Sequence, residues 1–154
     1  MTHHLAQLNI GTVRFPLESE GMRGFVDALD EINALAETSP GFIWRLTGDG
    51  NDATSLRPYD DDRIIVNMSV WTDLESLKNY VYKSVHADYL RRRKEWFEAM
   101  REAYTVLWWV NAGHTPTVAE AVSKLEHLRA HGSTAQAFAF RDPHPAPSLL
   151  ETRG

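Results

Sequence analysis

The chain contains no cysteine, which removes disulfide staples, thiolate nucleophiles and cysteine-based metal sites together. Its fold has to hold by packing alone. No apolar run approaches the roughly 20 residues that a membrane-spanning helix needs. Met1-Thr2-His3-His4 leads almost directly into a strand pattern, leaving no room for the basic region, apolar core and cleavage site of a signal peptide. The expectation is a cytoplasmic protein with no membrane partner. Basic side chains are outnumbered, 16 against 21 acidic ones, which speaks against nucleic-acid binding, because phosphate neutralisation needs clustered Lys and Arg. The one basic run, Arg91-Arg92-Arg93-Lys94, spreads its charges around a helix beside Glu95 and reads as a solvated face. The chain also lacks a phosphate loop, a Gly-x-Gly-x-x-Gly fingerprint, a His-Glu-x-x-His zinc motif and a Gly-x-Ser-x-Gly turn. His3-His4 has no third ligand near it, so no metal site is expected.

What is present is a regular change of period. At 154 residues the chain fits one domain, read as residues 1–141 followed by a Pro-rich tail over 142–154. Two-residue alternation predicts strands over 4–13, 42–46, 64–71 and 104–110, with a last short strand over 135–140. Period 3.6 predicts a helix over 20–37 on a stripe of Met22, Phe25, Val26, Leu29, Ile32 and Leu35. A second helix is capped by Thr72 or Asp73, bends near Ser84 and resumes through Trp96, Phe97 and Met100. A third is capped by Thr117, with Val118, Ala121, Val122, Leu125 and Leu128 inward. Residues 48–62, rich in Gly, Asn and Asp, read as a long loop.

Strand, helix, strand, strand, helix, strand is the ferredoxin-like order. The expected fold class is α+β: ferredoxin-like βαββαβ with an additional C-terminal helix and strand and an antiparallel sheet. In that order helices cover one sheet face and the other stays open, and an open apolar face predicts a homodimer, a dimeric α/β barrel.

The third strand carries Ile64, Val66, Met68 and Val70 on one face and Ile65, Asn67, Ser69 and Trp71 on the other. With the first strand beside it, Gln7, Asn9, Asn67 and Ser69 meet on one face. They form either the polar part of a small-molecule pocket or a satisfied structural network. Arg45 adds a charged donor if it points inward, which alternation leaves open against Trp44. Trp71 and Trp108 belong to a tryptophan set that serves core, dimer interface or a flat, apolar or aromatic ligand. His114, in Ala112-Gly113-His114-Thr115-Pro116, is either an acid or base near neutral pH or a cap for the following helix.

Five segments, Leu5-Ala6-Gln7-Leu8-Asn9-Ile10-Gly11, Ser39-Pro40-Gly41-Phe42-Ile43-Trp44-Arg45-Leu46, Val66-Asn67-Met68-Ser69-Val70-Trp71, Arg93-Lys94-Glu95-Trp96-Phe97 and Leu107-Trp108-Trp109-Val110-Asn111-Ala112-Gly113-His114, together resemble the DUF3291 family over roughly residues 4–140. The wider dimeric α/β-barrel superfamily, as the resemblance implies, includes quinol monooxygenases of the antibiotic-biosynthesis type, haem-degrading enzymes and small isomerases. The implied function is a small-molecule enzyme of monooxygenase-like type, with a pocket between the open sheet face and the second helix. His86 and His114 are its candidate catalytic residues; Gln7, Asn9, Arg45, Asn67, Ser69, Trp71 and Trp108 are its candidate substrate contacts. Its cofactor is none or haem, and haem-binding relatives place their axial histidine where His86 stands. The other reading is a non-catalytic ligand-binding or dimerisation domain.

Overall fold

The alternating segments form a four-stranded antiparallel sheet in the computed structural model, which describes residues 2–47, 63–83, 91–100 and 102–147. The elements are β1 (His3–Thr12), α1 (Arg23–Thr38) behind a 3-10 turn at Glu20–Met22, β2 (Phe42–Arg45), β3 (Ile64–Trp71) and α2 (Leu74–Lys83). Then come a single turn α3 (Arg93–Trp96), β4 (Thr105–Asn111) and α4 (Val118–His131). The sheet order β2-β3-β1-β4 is the ferredoxin-like order, and the fold class is α+β. β1 is central, pairing with β3 from Leu5↔Trp71 to Thr12↔Ile64 and with β4 from His3↔Asn111 to Asn9↔Thr105.

Because the register is antiparallel and the side-chain period is two, each strand gives one set to each face. Leu8, Ile10, Met68, Val70 and Trp108 share the apolar face, where they meet Ala121, Leu125 and Leu128 of α4 in one buried cluster. This corrects the expectation of an open face. The C-terminal helix covers it within a single chain, so the apolar area that was to drive dimerisation is already out of water. The helix fits there because its cap and stop are both built in. Thr117 Oγ1 accepts from the Glu120 N–H at 3.1 Å, and Gly132, at φ 75°, turns the chain after its N–H reaches Leu128 O.

The opposite face lies under the other helices. Leu5, Trp71 and Leu107 pack with Ala36 of α1, Leu77 of α2 and Phe138, while Ile65 packs with Met22, Trp96 and Phe97. α1 is rotated from its predicted stripe: Ala28, Asn33 and Ala36 are its buried residues, and Val26 is exposed. Small residues face the sheet, which lets the helix approach at one edge and leaves room elsewhere.

Three further expectations change. The predicted continuation of the second helix through Met100 stops at Trp96, because Phe97 is extended and bridges Val13. The Glu98 N–H then donates to Thr12 O at 2.9 Å, so the sheet edge competes successfully with the helix for these backbone groups. The last predicted strand is reduced to isolated bridges, the main one being Phe138, whose N–H and C=O both pair with Leu107 at 2.9 Å. The start of the predicted tail is tied down, since the Trp109 indole N–H donates to His144 O at 2.9 Å. Ser84, His86 and the 48–62 loop lie outside the described residues. Among the described residues no helix is long and apolar enough to cross a membrane.

Asp73 caps α2, its Oδ1 accepting from the Ser76 N–H at 2.7 Å, and that bond holds its carboxyl below the usual value of 3.8. A depressed carboxylate pKa gives stability that is present above the unfolded value and is lost as pH falls through the folded one. Asp73→Ala should therefore lower the unfolding free energy by about 1 kcal/mol near neutral pH. In urea titrations the gap from the parent should narrow as pH drops below about 4; a gap of constant size down to strong acid would contradict the cap.

Candidate functional site

Between the sheet and helices α1 and α2 lies a cavity of about 560 Å³, within the usual range for small-molecule sites. Its floor is the polar face of β1 and β3, its roof is α1 through Leu29, Ile32 and Asn33, and Tyr80, Phe140, Trp96 and Phe97 complete its walls, leaving it partly open with Asn67 exposed. The expected pocket therefore exists on the helix-covered face and not on an open one. Gln7, Asn9, Arg45, Asn67 and Ser69 all line it.

The floor is a connected network. Gln7 Nε2 donates to Asn67 Oδ1 and to Ser69 Oγ, both at 2.8 Å, across the Gln7↔Ser69 register pair. The Trp71 indole, which can only donate, also gives its N–H to Ser69 Oγ at 2.8 Å. Asn9 Nδ2 donates to Thr105 Oγ1 at 2.6 Å. Gln7 and Ser69 are each only 7% exposed, a burial that costs free energy unless the groups are bonded, and here they are.

A bulge in β2 settles the choice between Trp44 and Arg45. Phe42 pairs with Trp71, but Trp44 pairs with Val70 and Arg45 with Ser69, so the inserted residue reverses the alternation. Phe42 meets Trp71 edge-on at 5.5 Å, Trp44 joins the apolar cluster under α4, and Arg45 turns to the cavity with its Nη2 3.2 Å from Glu37 Oε1. Burial pushes the Tyr80 hydroxyl above its usual range, against the opposing charge of Arg45. It stays protonated and donates to Ile32 O at 3.2 Å.

Three sequence candidates stand elsewhere. Trp71 is fully buried beneath the floor, stacked on Tyr80 at 5.1 Å; it does not line the cavity and instead holds Ser69. Trp108 is on the opposite face of the sheet, where its indole N–H donates to Glu120 Oε2 at 2.9 Å. His114 joins the same carboxylate, with Nε2 2.7 Å from Glu120 Oε1. Thus Trp108 and His114 are removed from the pocket by the period-two alternation of β4 and by the start of α4. Their hydrogen bonds, and not burial, hold the Glu120 carboxyl below its usual value. His86 lies outside the described residues.

Among the lining residues that the sequence reading did not single out are Asn33 and Arg93. Asn33 is 7% exposed and lines the cavity, with no hydrogen-bond partner among the described residues. Its signal was a polar residue on the helical stripe Phe25, Leu29, Ile32, Ala36. Arg93 was hidden in the basic run read as a solvated face. It turns inward, donating from Nη2 to Ile10 O at 3.1 Å, with its guanidinium 4.4 Å from the Tyr104 ring and 4.8 Å from the Phe97 ring. Gly11 makes this approach possible, since a Cβ there would stand 2.6 Å from Phe97 Cδ1 and 3.3 Å from Arg93 Nη2.

Ser69→Ala would leave the buried Trp71 N–H with no acceptor, so it should cost about 1–3 kcal/mol of stability. Urea unfolding followed by tryptophan fluorescence measures this. A variant as stable as the parent would mean that the indole bond is not made in solution.

No curated protein matches this chain in sequence. Similar solved structures include SnoaB, a cofactor-independent oxygenase from Streptomyces nogalater, at 18% identity over 74% of this chain and 97% of that one, with a TM-score of 0.49. A conserved protein from Methanosarcina mazei Go1 is 13% identical over 70% of this chain and 91% of that one, with a TM-score of 0.48. The NE2512 protein of unknown function from Nitrosomonas europaea is 9% identical over 75% and 95%, with a TM-score of 0.46. At such identities and TM-scores nothing about chemistry follows from the likeness. The family model described as Domain of unknown function (DUF3291) matches residues 4–153, nearly the whole chain, and the chain belongs to the DUF3291 family.

Proposed function

We propose that this protein is a small-molecule enzyme of the monooxygenase-like kind, with its reaction chamber in the cavity under α1 and α2. The observation that carries this reading is the bonding state of Ser69. Trp71 and Gln7 fill both acceptor positions of Oγ, so the hydroxyl's remaining capacity is to donate, and Ser69 lines the cavity. Asn67, with its carbonyl oxygen committed to Gln7, keeps its amide N–H groups for a ligand as well. Fixed donors in a mostly apolar chamber stabilise a developing oxyanion more strongly than water does, because they need no reorganisation.

Among the described lining residues there is no Asp, Glu or His. The chamber therefore supplies donors and enclosure in place of a carboxylate or imidazole base. Such a site suits a phenol or naphthol whose anion the donors stabilise, its proton passing to solvent water, and which is then held against oxygen. For 1-naphthol the balanced outcome is 1,4-naphthoquinone: one atom of dioxygen enters the ring, and the other leaves as water with two hydrogens of the substrate. The haem alternative rests on His86 alone; no His, Met or Cys is among the described lining residues, and no described feature favours that alternative.

Oxygen uptake with a panel of naphthols and naphthalenediols tests the reading. Uptake should exceed the protein-free rate, quinone absorbance should appear with it, and Ser69→Ala should reduce the rate about 100-fold at a temperature where it is folded. Binding without uptake for the whole panel would sink the oxygenase reading and leave a ligand-binding domain.

A further inference from the structure

We propose that Arg93 is the anchor for an acid group, and that the ligands of this cavity are planar aromatic acids bound with the carboxylate at the α3 end and an oxygen at Ser69. The inference rests on reading the cavity as a ligand chamber and goes further by naming the class of ligand. Its first support is the state of the guanidinium. Arg93 is half-buried, and no carboxylate pairs with it among the described residues, in contrast to its neighbour Arg92, which holds Glu95 at 2.8 Å. A guanidinium offers five N–H donors, and the Ile10 carbonyl and the Tyr104 side chain leave the rest of that fork unused. Burial of a cation without an anionic partner is costly, and a ligand carboxylate placed against the fork would relieve that cost with a bidentate pair.

The second support is independent of Arg93's own geometry. The chain carries a formal charge of −5, yet the charged groups among the described lining residues are Arg45, Arg93 and Arg141. Arg45 is engaged with Glu37 and Arg141 is exposed at the edge, which leaves Arg93 as the half-buried cation at the α3 end of the lining. Walls of one sign in a low-dielectric cleft favour ligands of the other sign. The third support is spacing. Ser69 is opposite Gln7, and Arg93 reaches the Ile10 carbonyl beside Gly11. Three to four residues along β1 is about 10–13 Å, a span that matches a fused-ring body with one polar group at each end. Phe25, Trp96 and Phe97 wall that path and offer aromatic faces to such a body.

Isothermal titration calorimetry with 6-hydroxy-2-naphthoate and its neutral isostere 6-hydroxy-2-naphthamide tests the proposal. The parent protein should bind the acid at least ten-fold more tightly than the amide. Arg93→Gln should abolish that preference, weakening the acid at least ten-fold more than the amide. Arg93→Lys, a point charge without the fork, should keep part of the preference, and circular dichroism confirms that each variant is folded. Equal affinity for acid and amide in the parent overturns the Arg93 assignment and leaves the chamber reading standing, and that comparison needs no variant. A preference that survives in Arg93→Gln overturns it too. A parent that binds neither compound overturns the chamber reading and this inference with it.

Discussion

The central strand has to be buried on both faces while carrying amides on one of them, and the rest of the molecule is arranged around that constraint. Leu5, Ala6, Leu8 and Ile10 are all at or below 1% exposure, so β1 is covered on both faces, with Gln7 buried and Asn9 half-buried. The chain answers with partners from the neighbouring strands. Gln7 is satisfied by Asn67 and Ser69, Ser69 by Trp71, and Asn9 by Thr105. Each pair is a register consequence: shifting β3 by one residue against β1 would send Asn67 and Ser69 to the opposite face and strand Gln7 without partners. The polar floor thus fixes the register as firmly as the apolar face does.

That floor also explains why a cavity survives inside a small domain. A polar network cannot be pressed against apolar helix side chains without losing bonding capacity, and α1 roofs the floor across a gap instead of packing onto it. Ala28, Asn33 and Ala36 bring α1 near the sheet, while Leu29 and Ile32 remain half-buried along the roof. On the other face there is no such restraint, and α4 packs directly onto Leu8, Met68 and Trp108. The two sides of one sheet therefore differ in purpose. One is core, and the other is a walled space.

Most of the scaffold was legible in the sequence because it depends on period. The strand alternation, a helix cap at Thr72 or Asp73 and another at Thr117, and the grouping of Gln7, Asn9, Asn67 and Ser69 all follow from spacing that the chain prints plainly. What escaped depends on events that spacing does not encode. The bulge between Phe42 and Trp44 reverses a face, so alternation alone could not place Arg45. The role of α4 as cover for the apolar face is a tertiary choice; its sequence announces an amphipathic helix but not its address. Arg93 looked like one charge in a solvated run, and only the break at Phe97, where sheet pairing ends the helix, turns it inward. Asn33 was the detectable miss, since a polar residue on an otherwise apolar stripe is the kind of local inconsistency that functional sites produce.

Those local inconsistencies share an electrostatic sense. A chain with an excess of acids had many ways to pair Arg93 with Asp or Glu, as it does for Arg45, Arg63, Arg92 and Arg129. At Arg93 it uses instead a carbonyl and two aromatic faces, partners that hold a cation in place without neutralising it. Burial then draws the Arg93 pKa down, but arginine remains protonated in proteins, so its charge, which no carboxylate meets among the described residues, persists across the working pH range. Asn33 is part of the roof, and its amide has no hydrogen-bond partner among the described residues. Each of these choices leaves stability unrealised in the folded chain, and each leaves interaction energy available to a ligand that brings an anion and an acceptor. A purely structural interior would have been satisfied internally, and that contrast is what supports the proposed reading of the cavity as a ligand chamber.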